Sequence, residues 1–290
     1  MLKVIQIIEW IENNLHQKLN KSLLEKKTGY TSRHLLALFK KYINISVASY
    51  IRKRRLTLAS VLLRETSRSV TEISLMYQFE HLQTFSRAFK KQFGLSPQQY
   101  RKALFWDMTY YYPSAIVRPF DCEINNVNIN KNIYFSQELR SSYKVNFGYD
   151  FYIKTKNGKI HSYPNIYQDV IALIFKNNLQ QPFIVFGELL PGEKCDTIID
   201  MYLGHIVPNI NQWGLIQIPK GNYLCFTLTG SPYDIMCFYT WVKGHGMHHF
   251  KKTLKRGPSF TIFNETDIKG KYKAKYYIPC INQLNSAMHE

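Results

Sequence analysis

Between residues 82 and 93 the chain carries Gln83, Ser86, Arg87, Lys90 and Lys91, interleaved with Leu82, Phe85, Ala88, Phe89 and Phe93. Apolar residues at spacings of three, four and seven mark one face of an amphipathic helix, so the polar set falls on the other. Gln and Arg can each bond two groups on a single base edge, Ser can bond one, and Lys neutralises phosphates. A face of this kind either reads a nucleic-acid duplex or is simply solvated, and charge pattern by itself does not choose between the two.

The elements around it narrow the choice. Residues 3–16 read as a helix with Val4, Ile7, Ile8, Ile11 and Leu15 on one face. Ser22-Leu23-Leu24-Glu25 is a capping-box pattern, expected to open a short helix that ends at Gly29. A second helix is expected over about 32–42, burying Leu35, Leu38, Phe39 and Tyr42. Helix, glycine turn, helix is the signature of a helix-turn-helix. The pattern then recurs. Ser69-Val70-Thr71-Glu72 is a second capping box, and at an offset of 50 residues Phe39-Lys40-Lys41 returns as Phe89-Lys90-Lys91, and Leu35 as Phe85. Lys40 thereby joins the phosphate-facing set.

A long helix over 46–64 separates the copies, with Val47, Tyr50, Ile51, Leu58, Val61 and Leu62 at its apolar positions. It carries the run Arg52-Lys53-Arg54-Arg55, from which Arg52, Lys53 and Arg55 are read as phosphate contacts. At ~1.5 Å per residue such a helix spans roughly 28 Å. With the width of its neighbours, that would let two recognition helices reach major-groove segments about 34 Å apart.

The charge distribution agrees. The net charge is +18, yet residues 1–106 hold 19 Lys and Arg against 6 Asp and Glu, while the remaining 184 residues hold 19 against 14. A basic third joined to a near-neutral remainder implies a polyanion-binding unit attached to something else. With 45% hydrophobic residues the chain folds, and it is long enough for two cores. Five cysteines without a C-x-x-C pair fit reduced thiols, and the charged N-terminus is neither a signal peptide nor a membrane span. A cytoplasmic, nucleoid-associated bacterial protein with no membrane partner is expected.

Gly29-Tyr30, Tyr50-Ile51-Arg52, the stretch Gln83 to Phe93 and Ser96-Pro97-Gln98-Gln99-Tyr100-Arg101 resemble the DNA-binding domain of AraC/XylS-type transcription activators, nearest to the MarA/SoxS/Rob branch. The resemblance covers about residues 3–104. It implies that positions matching Gln83, Thr84, Ser86 and Arg87 contact bases in the second recognition helix, and those matching Arg33, Leu36 and Ala37 in the first. Close relatives carry Trp and then Gln-Arg at these three places. Leu36 and Ala37 offer a base edge no hydrogen bond, only contact with a thymine methyl, so a different target sequence is implied. The resemblance also implies promoter DNA and RNA polymerase as partners.

After Arg101 the composition shifts. Trp106, Tyr110-Tyr111-Tyr112, Pro113 and Pro119 read as a connecting segment packed by aromatics. Strands are expected at 122–127, 133–135, 144–151, 183–188, 197–206, 214–218, 223–228, 260–263 and 273–278. Helices are expected near 167–177 and from Ser231-Pro232 to about Gly244. Pro219 to Tyr223, the helix after Ser231, Lys255-Arg256-Gly257 and Tyr276 to Pro279 resemble the GyrI-like α+β domain of the branch's two-domain members. That resemblance implies a small-molecule effector or a protein contact in a groove. Glu188, Asp234 and Glu265 would be its acids, and Trp213, Tyr223, Tyr239 and Trp241 its walls, suited to a cationic or amphipathic ligand. The competing reading has these aromatics filling the core.

No G-x-S-x-G, Walker loop or H-E-x-x-H occurs, so no enzyme and no catalytic residue is expected. His245, His248 and His249 with Cys237 suit a flexible helix exit better than a four-ligand metal site; no metal or cofactor is expected. The basic run 251–256 is read as surface. The chain is therefore expected to be multidomain. An all-α tandem helix-turn-helix domain (1–105) and a connecting segment (106–119) precede an α+β GyrI-like effector or ligand-binding domain (120–290). Sequence-specific regulation is the first reading. A nonspecific nucleoid-type DNA binder and a small-molecule-binding or hydrolytic protein with a secondary DNA-binding domain are the alternatives.

Overall fold

The computed structural model describes residues 2–116, 120–145, 155–156, 159–160, 172, 175, 182–191, 197–207, 215–242, 246 and 252–281. Its first part is helical: α1 (Leu2–Asn13), α2 (Lys21–Thr28), α3 (Ser32–Ile43), α4 (Val47–Glu65), α5 (Val70–Met76), α6 (Leu82–Phe93) and α7 (Pro97–Lys102). α4 packs against α3, α5, α6 and α7, so one helix holds both helix-turn-helix units. All five apolar residues expected of α1, and all six expected of α4, are buried.

Matching caps give the two units the same shape. Ser46 and Ser96, 50 residues apart, each accept a hydrogen bond from a backbone N–H of the helix they open. Asn44 and Gly94 each end the preceding recognition helix in the left-handed region, at φ 62° and 76°. The tight turns use Gly29 at φ 70° and Gln78 at φ 61°. The Ser69–Glu72 capping box is present. The expected one at Ser22–Glu25 is not. Asn20 caps α2 by accepting from Leu23 N, and Glu25 instead accepts from the N–H and hydroxyl of Ser32, both at 2.7 Å. Glu25 thus ties α2 to the start of α3, which lowers its carboxyl pKa. Leu82 and Tyr42, expected in the core, are exposed because each lies at the rim of its helix's apolar stripe.

The second part is built on a sheet. Its strands are β1 (Phe105–Asp107), β2 (Glu123–Ile129), β3 (Ile133–Ser136), β4 (Leu139–Val145), β5 (Thr155–Lys156), β6 (Lys159–Ile160), β7 (Phe183–Pro191), β8 (Thr197–Gly204), β9 (Leu215–Ile218) and β10 (Gly221–Gly230). Helix α8 (Pro232–Trp241) follows, then β11 (Thr253–Lys255), β12 (Ser259–Glu265) and β13 (Tyr272–Ile281). The main sheet runs β1-β11-β13-β12-β7-β8-β4, with β10 pairing both β13 and β2. Phe183-Ile184-Val185-Phe186 shows how it is buried. Phe183 and Val185 join the large core beneath α8, while Ile184 and Phe186 join a smaller cluster with Phe135 and Ile218. Alternation on a sheet covered on both faces reads as a continuous apolar run.

Two expectations change, and a third falls mostly outside the described residues. The strand expected from 144 begins earlier, at Leu139, and is described as far as Val145; the rest of that expectation, 146–151, lies outside the described residues. Its polar Arg140 and Ser142 bond Asp200 across the pair, so the sequence hides its pairing face. The helix near 167–177 lies outside the described residues except at 172 and 175, which are helical. The basic run 251–256 is not simply surface, because Thr253–Lys255 pairs with β1 and Leu254 is buried.

Candidate nucleic-acid interface

α3 and α6 present equivalent faces. Arg33, Leu36, Ala37 and Lys40 are exposed on α3. Fifty residues on, Gln83, Arg87 and Lys90 are exposed on α6, with Ser86 half-buried. Thr84 and Lys91 are exposed as well. The opposite side of α6 is anchored by Phe85, Phe89 and Phe93, which stack in series at 5.6 and 4.6 Å between ring centres. The ring of Tyr100 on α7 closes the stack, 5.3 Å from Phe89. Rigid aromatic packing on one face is what orients the polar side chains on the other.

The basic run of α4 divides. Arg52 is exposed and Lys53 half-buried, its ammonium 4.9 Å over the Tyr112 ring. Arg54 is buried, paired with Glu12 at 2.9 Å and donating to Tyr112 O at 2.7 Å. Burial by itself would lower the Arg54 pKa; the Glu12 carboxylate, with smaller contributions from Tyr50 and Tyr77, more than offsets it, and the net shift is upward. Arg55, read from sequence as a phosphate contact, donates instead to the carbonyls of Leu15 and Gln17 at 2.9 and 2.7 Å. Burial brings its pKa down to about 10. Its role here is to fasten the turn after α1 to α4. Arg54 follows Tyr50 and Ile51 by four and three positions, so the helical spacing itself marks it as inward-facing.

The comparisons bear on this arrangement. A family model described as a helix-turn-helix domain matches residues 24–103. The regulatory protein SoxS of Escherichia coli K12 is 40% identical over 103 residues, covering 35% of this chain and 96% of SoxS. The chain belongs to the AraC-type regulators, in the MarA/SoxS/Rob branch. The transcriptional regulator Rob of Salmonella typhimurium LT2 is 28% identical over 267 residues, 87% of this chain and 86% of Rob. The HTH-type regulator YkgA of E. coli K12 is 41% identical over 113 residues, 39% of this chain; the match spans 47% of YkgA, about half its length. The helical part of this AraC-type regulator is thus a DNA-binding domain, followed by a sheet-rich extension.

Among the described residues, those expected to line a ligand groove are not brought together. Tyr223 is buried in the smaller cluster, its hydroxyl donating to Pro219 O at 2.7 Å. Trp241 lies in the large core, with Tyr239 packed against it and hydrogen-bonded to Thr261. Tyr223 is therefore separated from the other two by the sheet, and all three rings serve packing. Asp234 is the acidic partner of Ser231 in the α8 capping box. Glu265 is exposed at the end of β12. Glu188 pairs with Asp200 in the β7–β8 register, but its side chain, like the whole of Trp213, lies outside the described residues. So do His245, His248 and His249. Among the described residues no cluster of three or more His, Cys, Asp or Glu could hold a metal. Nor is any described helix long and apolar enough to cross a membrane.

Proposed function

We propose that this regulator is a sequence-specific activator that reads two adjacent major-groove segments of promoter DNA in the cytoplasm, at the nucleoid. Gln83, Thr84, Ser86 and Arg87 supply the base contacts of α6, and Arg33, Leu36 and Ala37 those of α3. Lys40, Arg52, Lys53, Lys90 and Lys91 hold phosphates. The observation that carries this reading is the equivalence of the exposed faces of α3 and α6 at a 50-residue offset, on helices fixed to one α4. The two faces are chemically unequal. At matched positions α6 offers Gln83, Ser86 and Arg87 where α3 offers Arg33, a leucine and an alanine, so most discrimination comes from the second half-site. Activation would proceed through RNA polymerase. The sheet-rich part, which the 267-residue alignment with Rob extends into, would be a GyrI-like domain that adjusts activity through a small molecule or a protein contact.

Selection of duplexes from a random library tests this. The expected result is a two-part motif with centres about 10 base pairs apart, with the half-site read by α6 better defined. Run-off transcription from that site should rise on adding the protein with RNA polymerase. Retention of duplex without any motif would make the protein a nonspecific binder and overturn the reading.

A further inference from the structure

A cleft of about 710 Å³ opens between α4, α6 and the segment that follows β1. Its size falls within the roughly 300–1,000 Å³ of preformed small-molecule sites. Arg52 and Lys53 enter it from α4, Arg87 and Lys91 from α6, and among the described residues no carboxylate lines it. The rest of the lining is largely apolar or aromatic, from Leu56, Ala88, Tyr110, Tyr111 and Tyr112.

The cleft is built, not incidental. The Gln92 side-chain amide donates to Thr57 Oγ1 at 3.1 Å and is shared with the carbonyls of Lys53 and Tyr110, both at 3.3 Å. One side chain thereby joins all three walls. Thr57 Oγ1 also accepts from Tyr112 N at 3.0 Å, which fixes the aromatic segment against α4. Burial raises the Tyr112 phenol above its ordinary pKa, so this wall adds no negative charge at neutral pH. Tyr110 is half exposed and lines the cleft.

We infer that this cleft binds small aromatic anions, with an aryl carboxylate as the simplest member, and that the occupant competes with DNA. Four cations with no lining acid select a negative charge, and the tyrosine rings select a flat apolar body. Competition follows from helix geometry and rests on the proposed reading of α6. Thr84, Ala88 and Lys91, spaced by four and three, line the flank of α6 that faces the cleft, while Gln83, Ser86 and Lys90 lie on the other flank. Arg87 stands between the two sets. It cannot hold a carboxylate in the cleft and a base edge in the groove at once. This site is separate from whatever the sheet-rich domain binds.

The test uses the full-length protein with 2-naphthoate and its neutral counterpart 2-naphthalenemethanol, titrated by calorimetry. One site for naphthoate is expected, with the alcohol weaker by about tenfold or more, the scale of 1.4 kcal/mol. Tyr110→Ala and Lys91→Ala should each weaken naphthoate by about fivefold or more, with thermal midpoints confirming that both variants fold. Naphthoate at a few times its wild-type Kd should weaken the selected duplex several-fold in the wild type and clearly less in Tyr110→Ala, whose duplex affinity without naphthoate stays normal. Equal binding of acid and alcohol overturns the ligand class. Naphthoate binding untouched by both substitutions overturns the site. No naphthoate binding by a protein that still binds its duplex overturns the inference and leaves the DNA reading intact. Naphthoate binding lost in the variants, by a protein that selects no duplex, keeps the cleft and removes the competition. A Tyr110→Ala variant with weakened duplex affinity and a wild type indifferent to naphthoate would assign the cleft to the DNA backbone instead.

Discussion

Four consecutive basic residues on α4 serve different ends, and their substitutions should separate cleanly. Arg54 is buried with Glu12, and Tyr50 donates to the same carboxylate at 2.5 Å. Arg54→Ala leaves that carboxylate buried without its cation, a change that costs about 3–5 kcal/mol in stability. Urea unfolding should show it. Arg52 is exposed, so Arg52→Ala should leave the urea midpoint unchanged. Instead it should lower duplex affinity uniformly and flatten the salt slope by about one unit. Arg87→Ala should cost about 1–3 kcal/mol and relax preference at one base pair. An equal loss on all sequences would make Arg87 a phosphate contact. In the sheet, Asp200 is held down to about 2, chiefly by its hydrogen bonds from Arg140, with Ser142 and Tyr202 adding theirs against the upward push of burial. A depressed carboxyl stabilises the fold above its unfolded pKa and loses that contribution as pH falls toward the folded value. Asp200→Asn should therefore destabilise by about 1–2 kcal/mol near neutral pH and make little difference near pH 2, which denaturant titrations at both pH values would reveal.

At the scale of elements, the helical domain was legible because its caps and stripes are local. Ser46, Ser69 and Ser96 open helices as N-cap serines, and Gly29 sits at φ 70° where a turn requires it. No atom lies within 4 Å of where a Cβ at Gly29 would stand, so Gly29→Ala meets no clash. Its cost is the left-handed backbone alone, about 1 kcal/mol, which should appear as a lower thermal midpoint with unchanged base preference. The Ser22–Glu25 pair was misread because a capping-box pattern does not reveal that Ser32, seven residues past Glu25, competes for the carboxylate. Long-range features were hidden for the same reason. Nothing local says that Thr253–Lys255 pairs with Phe105–Asp107, or that Gln92 bridges three walls of a cleft. The interface faces of α3 and α6 could be read from periodicity. The cleft beside α6 could not, since it depends on where residues 109–112 return.

At the scale of the whole molecule, the two parts are seamed at Trp106. Its ring is buried between the guanidiniums of Arg64, from α4, and Arg256, which follows β11, at 5.2 and 5.4 Å from the ring centre. Its indole N–H donates to Tyr100 O at 3.0 Å, and Arg256 donates to Arg101 O at 2.7 Å. The last carbonyls of a helix have no partner within it and favour a nearby cation, so the sheet-rich part supplies a cap for α7. Since Tyr100 on α7 packs against Phe89 and Phe93, that cap supports the back of α6. The halves should consequently unfold together. Trp106→Ala removes the ring, its hydrogen bond and both stacked cations, at a cost of about 3–5 kcal/mol. Scanning calorimetry should show one transition for the wild type and two for Trp106→Ala, the helical domain melting first because it loses the cap. A single transition in the variant, displaced but not divided, would mean that the β1–β11 pairing alone couples the halves. The Trp106 stack would then support α7 locally without transmitting anything across the seam.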